Sequence, residues 1–207
     1  MTDIYHITHI RNLPNIIKNG GLWCDRIVSE RNLAHVSIAY PHIKDRRTTK
    51  QVPVSAGGTL ADYVPFYFAP RSPMLCTINR GNVRGYTDGQ KPILHLVSSV
   101  EAVKGMKLPF AFTDGHAPMD ISRFFDHLKD IDQIDWKIMR ATYWADTIED
   151  GDRSRRRQAE FLVHRFFPLS LIESIGVINK EMATQVTGLL EQLKQRPNVQ
   201  VESTWYY

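Results

Sequence analysis

Residues 158–164 read Gln-Ala-Glu-Phe-Leu-Val-His, an apolar run with one carboxylate near its start. The Phe-Leu-Val run at 161–163 is typical of a buried strand. Glu160 must then be exposed at an edge, paired or functional, because burying an unpaired carboxylate is expensive. Gln158 lies two residues earlier, so on a strand it shares a face with Glu160 and could address the same ligand. A surface ion pair with a neighbouring arginine is an equally good interpretation of Glu160.

Basic residues cluster next to this strand and in one earlier segment. Five arginines and a single acid, Glu160, lie between Arg153 and Arg165, and positive charges exceed negative ones by three between Lys44 and Lys50. The whole chain carries 26 Lys+Arg against 22 Asp+Glu, a net charge of +4 that any solvated surface can carry. Local basic patches are what a phosphate backbone attracts, so the clusters indicate an anionic partner. A solvated turn is the simpler alternative for the arginines.

Composition excludes several classes of protein. The 207 residues are 43% hydrophobic with 12 Gly and 11 Pro, which argues against disordered and collagen-like chains. No apolar run approaches a membrane span, and the N-terminus lacks signal-peptide features. Cys24 and Cys76 cannot build a disulfide framework, and the eight histidines show no metal-ligand spacing. We therefore expect a soluble cytoplasmic protein without a metal centre.

The apolar patterns predict one α+β domain over residues 1–207, with a mixed or antiparallel sheet. Strands are predicted at 4–8, 22–24, 63–69, 93–97, 159–164, 174–178 and 199–201. Helices are predicted at 15–19, from 98, over most of 120–140 and at 180–195. Pro65 places the third strand at an edge or a bulge. Residues 25–59 show no clear periodicity, and so long a connection is usually functional or mobile.

Two further segments carry groups suited to ligand binding. On the first strand, His6 and Thr8 project from one face near the strand end, although capping or surface histidines would give the same pattern. The aromatic residues of 63–69 are core by default, but those ending beside Arg71 and Met74 could stack on a nucleobase or nicotinamide ring. The glycines match neither the dinucleotide-binding fingerprint nor a P-loop.

Four long segments, 5–25, 57–75, 110–117 and 155–163, closely resemble the DarT toxins, a family of DNA ADP-ribosyltransferases. The resemblance implies the ADP-ribosyltransferase fold, a split mixed sheet with flanking helices around an NAD+ cleft. It implies a glycosyl- or nucleotidyltransferase-type toxin that moves ADP-ribose from NAD+ to thymidine in single-stranded DNA and releases nicotinamide. It also implies a DarG-like macrodomain antitoxin as partner and, we expect, a monomer. Guanosine in DNA, RNA or protein acceptors, and a non-catalytic nucleic-acid-binding module, stay open as alternatives.

The same resemblance assigns residues. Glu160 matches the transferase glutamate, and Arg47 matches a loop arginine that serves both NAD+ and the DNA base. Segment 25–59 matches the loop that wraps NAD+. The cofactor-binding set is His6, Thr8, His9, Ile10, Arg47, Tyr67 and Phe68. The DNA-binding set is Arg46, Arg71, Met74, Arg153, Arg155, Arg156, Arg157 and Gln158.

The residue types suit this chemistry. Breaking the nicotinamide–ribose bond leaves an oxocarbenium-like centre, which a carboxylate near the ribose 2′-hydroxyl stabilises. Arginine stays protonated and is a poor general base, so we expect Arg47 to stabilise the deprotonated base and the NAD+ phosphate. A ring nitrogen of a paired base is inaccessible without unstacking, so a single-stranded acceptor is physically sensible.

Overall fold

The computed structural model describes residues 1–40 and 42–207. The strands are β1 (Asp3–His9), β2 (Gly21–Trp23), β3 (Tyr63–Tyr67), β4 (Ile93–Ser99), β5 (Phe110–His116), β6 (Phe124–Phe125), β7 (Ala159–His164), β8 (Phe166–Pro168), β9 (Ser174–Val177) and β10 (Asn198–Val201). The α-helices are α1 (Leu13–Lys18), α2 (Asp25–Glu30), α3 (Pro41–Thr49), α4 (Pro73–Asn79), α5 (Val100–Gly105), α6 (Trp136–Arg140), α7 (Arg153–Arg156) and α8 (Lys180–Leu190). Short 3-10 turns include Leu60–Asp62 and Leu128–Gln133.

Eight strands form one sheet in the order β10-β9-β4-β1-β3-β7-β5-β6, and β2 pairs with β8 in a small second sheet. The β10–β9 pair is parallel and the other pairs are antiparallel, so the predicted mixed sheet of an α+β fold is confirmed. Helices flank the sheet, and α8 packs its apolar stripe of Met182, Val186 and Leu190 into the main core.

The large sheet is split between β1 and β3. β1 pairs with β4 along its whole length but meets β3 only at Tyr5 and Tyr67. Pro65 of β3 has no N–H to donate, and its carbonyl oxygen is instead 2.8 Å from Nδ1 of His6. β3 is therefore an internal strand, not an edge strand, and its proline lies where the ladder to β1 is interrupted. This gap opens the sheet and leaves room for a ligand.

Three sequence-based expectations need correction. Segment 25–59, for which no elements were predicted, contains the helices α2 and α3. Their residues lack an apolar stripe, and tertiary contacts hold the two helices in place. Residues 120–140 do not form one helix: Phe125 of β6 stacks on Phe112 of β5 with ring centroids 5.3 Å apart, and a short 3-10 turn and α6 follow. The structure also adds α4, β5 and β8, which were not predicted as elements.

Gly21 of β2 lies against β8, and an added Cβ would be 2.1 Å from the carbonyl oxygen of Phe167. We expect Gly21→Ala to lower the free energy of unfolding by about 3 kcal/mol, measured by urea denaturation. Gly188 in α8 is the matched control, because a Cβ there meets nothing within 4 Å. Gly188→Ala should stabilise the protein by about 0.5–1 kcal/mol. Equal stability of the Gly21→Ala variant and the native chain would contradict this packing.

Candidate active site

Glu160 lies in β7, directly opposite Tyr67 of β3, and only 4% of it is exposed. Its Oε2 accepts a hydrogen bond from Nη1 of Arg47 at 2.8 Å, and its Oε1 accepts one from the backbone N–H of Ala117 at 3.1 Å. Its own backbone N–H donates to Oγ1 of Thr113 at 3.1 Å. The carboxylate is therefore buried and paired with an arginine distant in sequence, and the alternative of a surface ion pair with a neighbour is wrong.

Arg47 reaches this carboxylate from α3 and is 7% exposed. Its Nη2 is buried and has no hydrogen-bond partner among the described residues. Burial lowers the pKa of Arg47, but the charge and hydrogen bond of Glu160 outweigh burial and raise the pKa above its ordinary value. Arg47 thus stays charged, and it keeps one buried donor for a group that the protein does not supply.

A cavity of about 340 Å³ opens beside this pair, and its lining includes Arg47, Tyr67, Met74, His116, Gln158 and Glu160. Burial, followed by the charge of Glu160, raises the pKa of Tyr67, so its hydroxyl stays protonated. Burial lowers the pKa of His116 despite the nearby carboxylate, so its imidazole is neutral at pH 7. His116 lies in segment 110–117, one of the four segments that resemble the family, but no sequence pattern predicted a role for it.

The cavity continues into one of about 180 Å³ along the gap between β1 and β3, and a further cavity of about 130 Å³ adjoins it between β1 and residues 12–35. His6 and Thr8 line both of them, and Tyr67 lines both the 180 Å³ cavity and the one at Glu160. Together the three form one groove, called the cleft below. Burial lowers the pKa of His6, so a neutral imidazole faces the cleft.

One wall of the cleft is the segment between α2 and α3. Asn12 holds it in place: its Nδ2 donates to the carbonyl oxygen of Val36 at 2.9 Å, and its Oδ1 accepts from the Val36 N–H at 2.7 Å. Nδ2 also donates to Oγ1 of Thr8 at 3.0 Å. The polar face predicted for β1 thus lies in the cleft. The segment between α2 and α3, which Asn12 holds, covers this face.

Three predicted cofactor-binding side chains do not reach the cleft. Phe68 is buried in the core, edge-on to Phe161 and to Trp136. The imidazole of His9 is turned to the other face of β1, with Nε2 3.2 Å from Oδ2 of Asp88. Ile10 packs half-buried against the main core. The pattern of alternate faces on a strand explains Phe68 and His9, because their neighbours Tyr67 and Thr8 face the cleft.

Most of the arginines before Glu160 are engaged by groups of the protein itself. Arg155 pairs with Asp114 at 3.0 Å and with Asp152 at 2.7 Å. Arg156 pairs with Asp135 at 2.6 Å and also with Asp150. Carboxylates both adjacent to this basic run and distant from it in the sequence pair with its arginines, and these ion pairs hold α7 in place.

Arg157 is also structural, since only 4% of it is exposed. Its guanidinium donates to backbone carbonyl oxygens, including those of Ile138 at 2.6 Å and Arg71 at 3.0 Å. Arg153 donates to the carbonyl oxygen of Ala145 at 2.9 Å and forms no ion pair among the described residues. Arg46 is exposed and donates to the carbonyl oxygen of Pro118 at 3.1 Å.

The family model for ssDNA thymidine ADP-ribosyltransferase, DarT, matches residues 5–207. This chain belongs to the DarT family. A DNA ADP-ribosyl transferase from Thermus sp. (strain 2.9) is 46% identical, over 100% of this chain and 96% of the relative. A DNA ADP-ribosyl transferase–DNA ADP-ribosyl glycohydrolase fusion protein from Thermosipho africanus (strain H17ap60334) is 26% identical, and the match covers 89% of this chain and 44% of that protein.

Solved DarT structures have the same fold. Thermus sp. 2.9 DarT in complex with ADP-ribosylated ssDNA matches with a TM-score of 0.93 and 46% identity, covering 100% of this chain and 96% of that one. The same DarT in complex with NAD+ matches with a TM-score of 0.89 and 43% identity, covering 100% and 98%. The ADP-ribosyltransferase fold predicted for this DarT-family chain is confirmed.

Two sequence-based exclusions can be compared with the structure. Among the described residues of this DarT-family chain, no three His, Cys, Asp or Glu side chains are grouped so that they could hold a metal ion. Across the same residues, no helix has the length and apolar character needed to cross a membrane.

Proposed function

We propose that this DarT-family protein transfers the ADP-ribosyl group of NAD+ to a thymine base in single-stranded DNA, with Glu160 as the catalytic carboxylate. Family membership supports the reaction and its substrates. The single observation that supports the site is the buried Glu160–Arg47 pair at the end of the cleft. A buried ion pair seldom adds stability over apolar residues of the same size, so its presence in a cavity favours a functional role.

The cleft suits NAD+ on two counts. It joins the gap between β1 and β3 to the cavity at Glu160, so a long ligand could lie along it. It also offers a buried donor that has no hydrogen-bond partner among the described residues, Nη2 of Arg47. His6 and Thr8 would contact NAD+ through side chains, whereas His9 and Ile10 have only their backbone groups left for it.

Glu160 would stabilise the positive charge that develops on the ribose as nicotinamide leaves. Its position is set before substrate binds, because Ala117 and Arg47 hold one oxygen each. Such preorganised electrostatic stabilisation is often the largest single catalytic term. Pairing with Arg47 also keeps the Glu160 carboxylate charged while it is buried, so that its negative charge is present when positive charge develops on the ribose.

The acceptor base needs a different group. A thymine ring nitrogen is protonated at neutral pH, and Arg47 cannot accept that proton. Arg47 would instead stabilise the negative charge on the base, through the donor that has no internal partner. His116 lies in the same cavity with a neutral imidazole, so it fits the proton acceptor better.

The DNA strand would approach from the side of the cavity that Met74 and Gln158 line. Arg46, Arg71 and Arg153 form no ion pair among the described residues, so these arginines would hold phosphates. This proposed set is smaller than the one inferred from sequence, because Arg155, Arg156 and Arg157 are engaged within the protein.

A macrodomain protein that removes the mark is the partner we propose, with the present chain as the toxin of the pair. The fusion relative supports this, because its name joins a DNA ADP-ribosyl transferase to a DNA ADP-ribosyl glycohydrolase in one chain. A partner encoded separately would perform the second activity here.

Competition between acceptors tests the proposal. With labelled NAD+ and equal amounts of single-stranded DNA, RNA and a protein mixture, we expect label on the DNA. In parallel, NAD+ at 100 times its dissociation constant should stabilise the protein by about 2.7 kcal/mol in a thermal shift. Label on RNA or protein would favour those acceptors. DNA binding with neither label nor shift would favour the non-catalytic module.

A further inference from the structure

The loop between β3 and α4 carries Arg71 at the rim of the catalytic cavity. Pro73 and Met74, two and three residues later, line that cavity with Glu160. Arg71 itself lines none of the three cavities of the cleft. Its side chain therefore lies outside the space assigned to NAD+, in a loop that leads to Met74, on the side of the cavity from which the acceptor strand is proposed to enter.

The Arg71 side chain has no polar partner in the part of the chain that the structure describes. Its guanidinium carbon is 4.3 Å from the ring centroid of Tyr207, and none of its nitrogens forms a hydrogen bond among the described residues. Its Nε is buried without a partner. A buried unpaired donor is costly, so an arginine held in this way is prepared for an acceptor from outside.

Tyr207 is fixed at several points. Its hydroxyl donates to the carbonyl oxygen of Arg71 at 3.2 Å and accepts from Nε1 of Trp144 at 3.0 Å. Its backbone N–H donates to Oε1 of Gln90 at 3.0 Å. The Tyr207 ring is thus a rigid surface on which the Arg71 side chain lies, and the Tyr207 hydroxyl holds the Arg71 backbone.

A second positive charge lies close by. Arg157 donates to the same Arg71 carbonyl oxygen. Burial lowers the pKa of Arg157 and Arg71 lowers it further, while the only group that raises it is Tyr207. No carboxylate among the described residues compensates these two guanidinium groups. A bound anion would relieve their repulsion, and a phosphate accepts the bidentate hydrogen bonds that arginine donates.

We propose that Tyr207 is a positioning residue, which holds Arg71 in place to bind a phosphate of the acceptor strand. The inference rests on the proposed function, because it needs a DNA strand at the cavity. Cation–π stacking on the Tyr207 ring fixes the orientation of the Arg71 guanidinium. The hydrogen bond from the Tyr207 hydroxyl to the Arg71 carbonyl oxygen fixes the position of the loop backbone relative to the cavity. NAD+ also carries phosphates, so the test must separate the two sources.

The experiment measures kcat and the separate KM values for NAD+ and for a single-stranded oligonucleotide. The variants are Tyr207→Leu, Tyr207→Phe, Arg71→Gln and the double variant Arg71→Gln/Tyr207→Leu. Tyr5→Leu is the matched control, because Tyr5 is a half-buried tyrosine that packs on Trp205 of the same C-terminal segment without touching Arg71. Thermal stability is recorded for every variant.

We expect Tyr207→Leu to raise the KM for the oligonucleotide about fivefold, with the KM for NAD+ and kcat within about twofold. Tyr207→Phe keeps the ring but loses the hydrogen bond to the Arg71 carbonyl oxygen, so its KM for the oligonucleotide should rise by about two- to threefold, between the native chain and Tyr207→Leu. The double variant should match Arg71→Gln alone, because Tyr207 acts through Arg71. In Arg71→Gln and in Tyr207→Leu the slope of log KM against log salt should fall by about 0.7, the value for one phosphate of a single strand.

Several outcomes would overturn the inference. A rise in the KM for NAD+ alone would place the phosphate in the cofactor. Additive effects in the double variant, or an equal KM change in Tyr5→Leu, would reduce Tyr207 to a structural role. If Arg71→Gln leaves the oligonucleotide KM unchanged, the phosphate subsite is wrong. Transfer by that variant would show that the proposed function itself still holds.

Discussion

Glu160→Gln should lower kcat for transfer to DNA by about 100- to 1,000-fold. Glutamine keeps the size of the side chain and one oxygen, so it can still accept a hydrogen bond from Ala117 or Arg47. It loses the negative charge, which the proposed mechanism places against the positive charge of the ribose. The rate of labelled oligonucleotide formation at saturating NAD+ and DNA measures the change.

Glu173→Gln is the matched control for this prediction. Glu173 is exposed and accepts a hydrogen bond from Oγ of Ser99 at 2.8 Å, and it lines none of the cavities of the cleft. Its variant should retain the native rate. Glu160→Gln should still show the thermal shift with NAD+, because the substitution leaves the rest of the cleft in place. A rate within tenfold of the native one would show that the charge of Glu160 is not the catalytic group.

Arg47→Met should cost about 3–5 kcal/mol of unfolding free energy at pH 7, because it leaves the Glu160 carboxylate buried without its cation. Urea denaturation measures the loss. Methionine has a similar length and no charge, so the change isolates the ion pair better than alanine. The variant should also lose transfer activity, since Arg47 is proposed to stabilise the acceptor base.

The double variant Arg47→Met/Glu160→Gln separates these two effects. Removing both charges should restore most of the stability, since no uncompensated charge stays buried. Activity should not return. If the loss of unfolding free energy in the double variant equals the sum of the losses in Arg47→Met and Glu160→Gln, the two residues are energetically independent. If the double variant regains transfer, the ion pair is structural and another group carries the chemistry.

The sequence predicted the strands of the sheet better than the segments that cover it. β7 has the bounds that the pattern predicted, since an apolar run of this length fits a buried strand. α2 is only six residues long, and tertiary contacts hold it: Nη2 of Arg26 donates to Oγ1 of Thr59 at 2.9 Å, and Arg26 pairs with Asp62. Contacts between residues so far apart leave no periodic signal in the chain.

The same reason explains the candidate site. Glu160 stands out in the sequence because a carboxylate in an apolar strand needs an explanation. The buried state of its pair with Arg47 depends on how α3 folds over the cleft, which no local pattern shows. Not all ion pairs of the basic run before Glu160 could be predicted, because two partners, Asp114 and Asp135, lie far away in the sequence, while Asp150 and Asp152 lie beside the run. A count of charged residues along the sequence therefore does not show which charges remain unpaired in the folded protein.

Mass spectrometry of oligonucleotides tests the central claim most directly. Single-stranded oligonucleotides of varied sequence are incubated with the native protein and NAD+, and fragment spectra locate any added mass. We predict one ADP-ribosyl group on a thymine base, with free nicotinamide formed in equal amount, and product formed about 100- to 1,000-fold more slowly by Glu160→Gln. An adduct on another base or on a phosphate, or an unchanged yield from Glu160→Gln, would contradict the account.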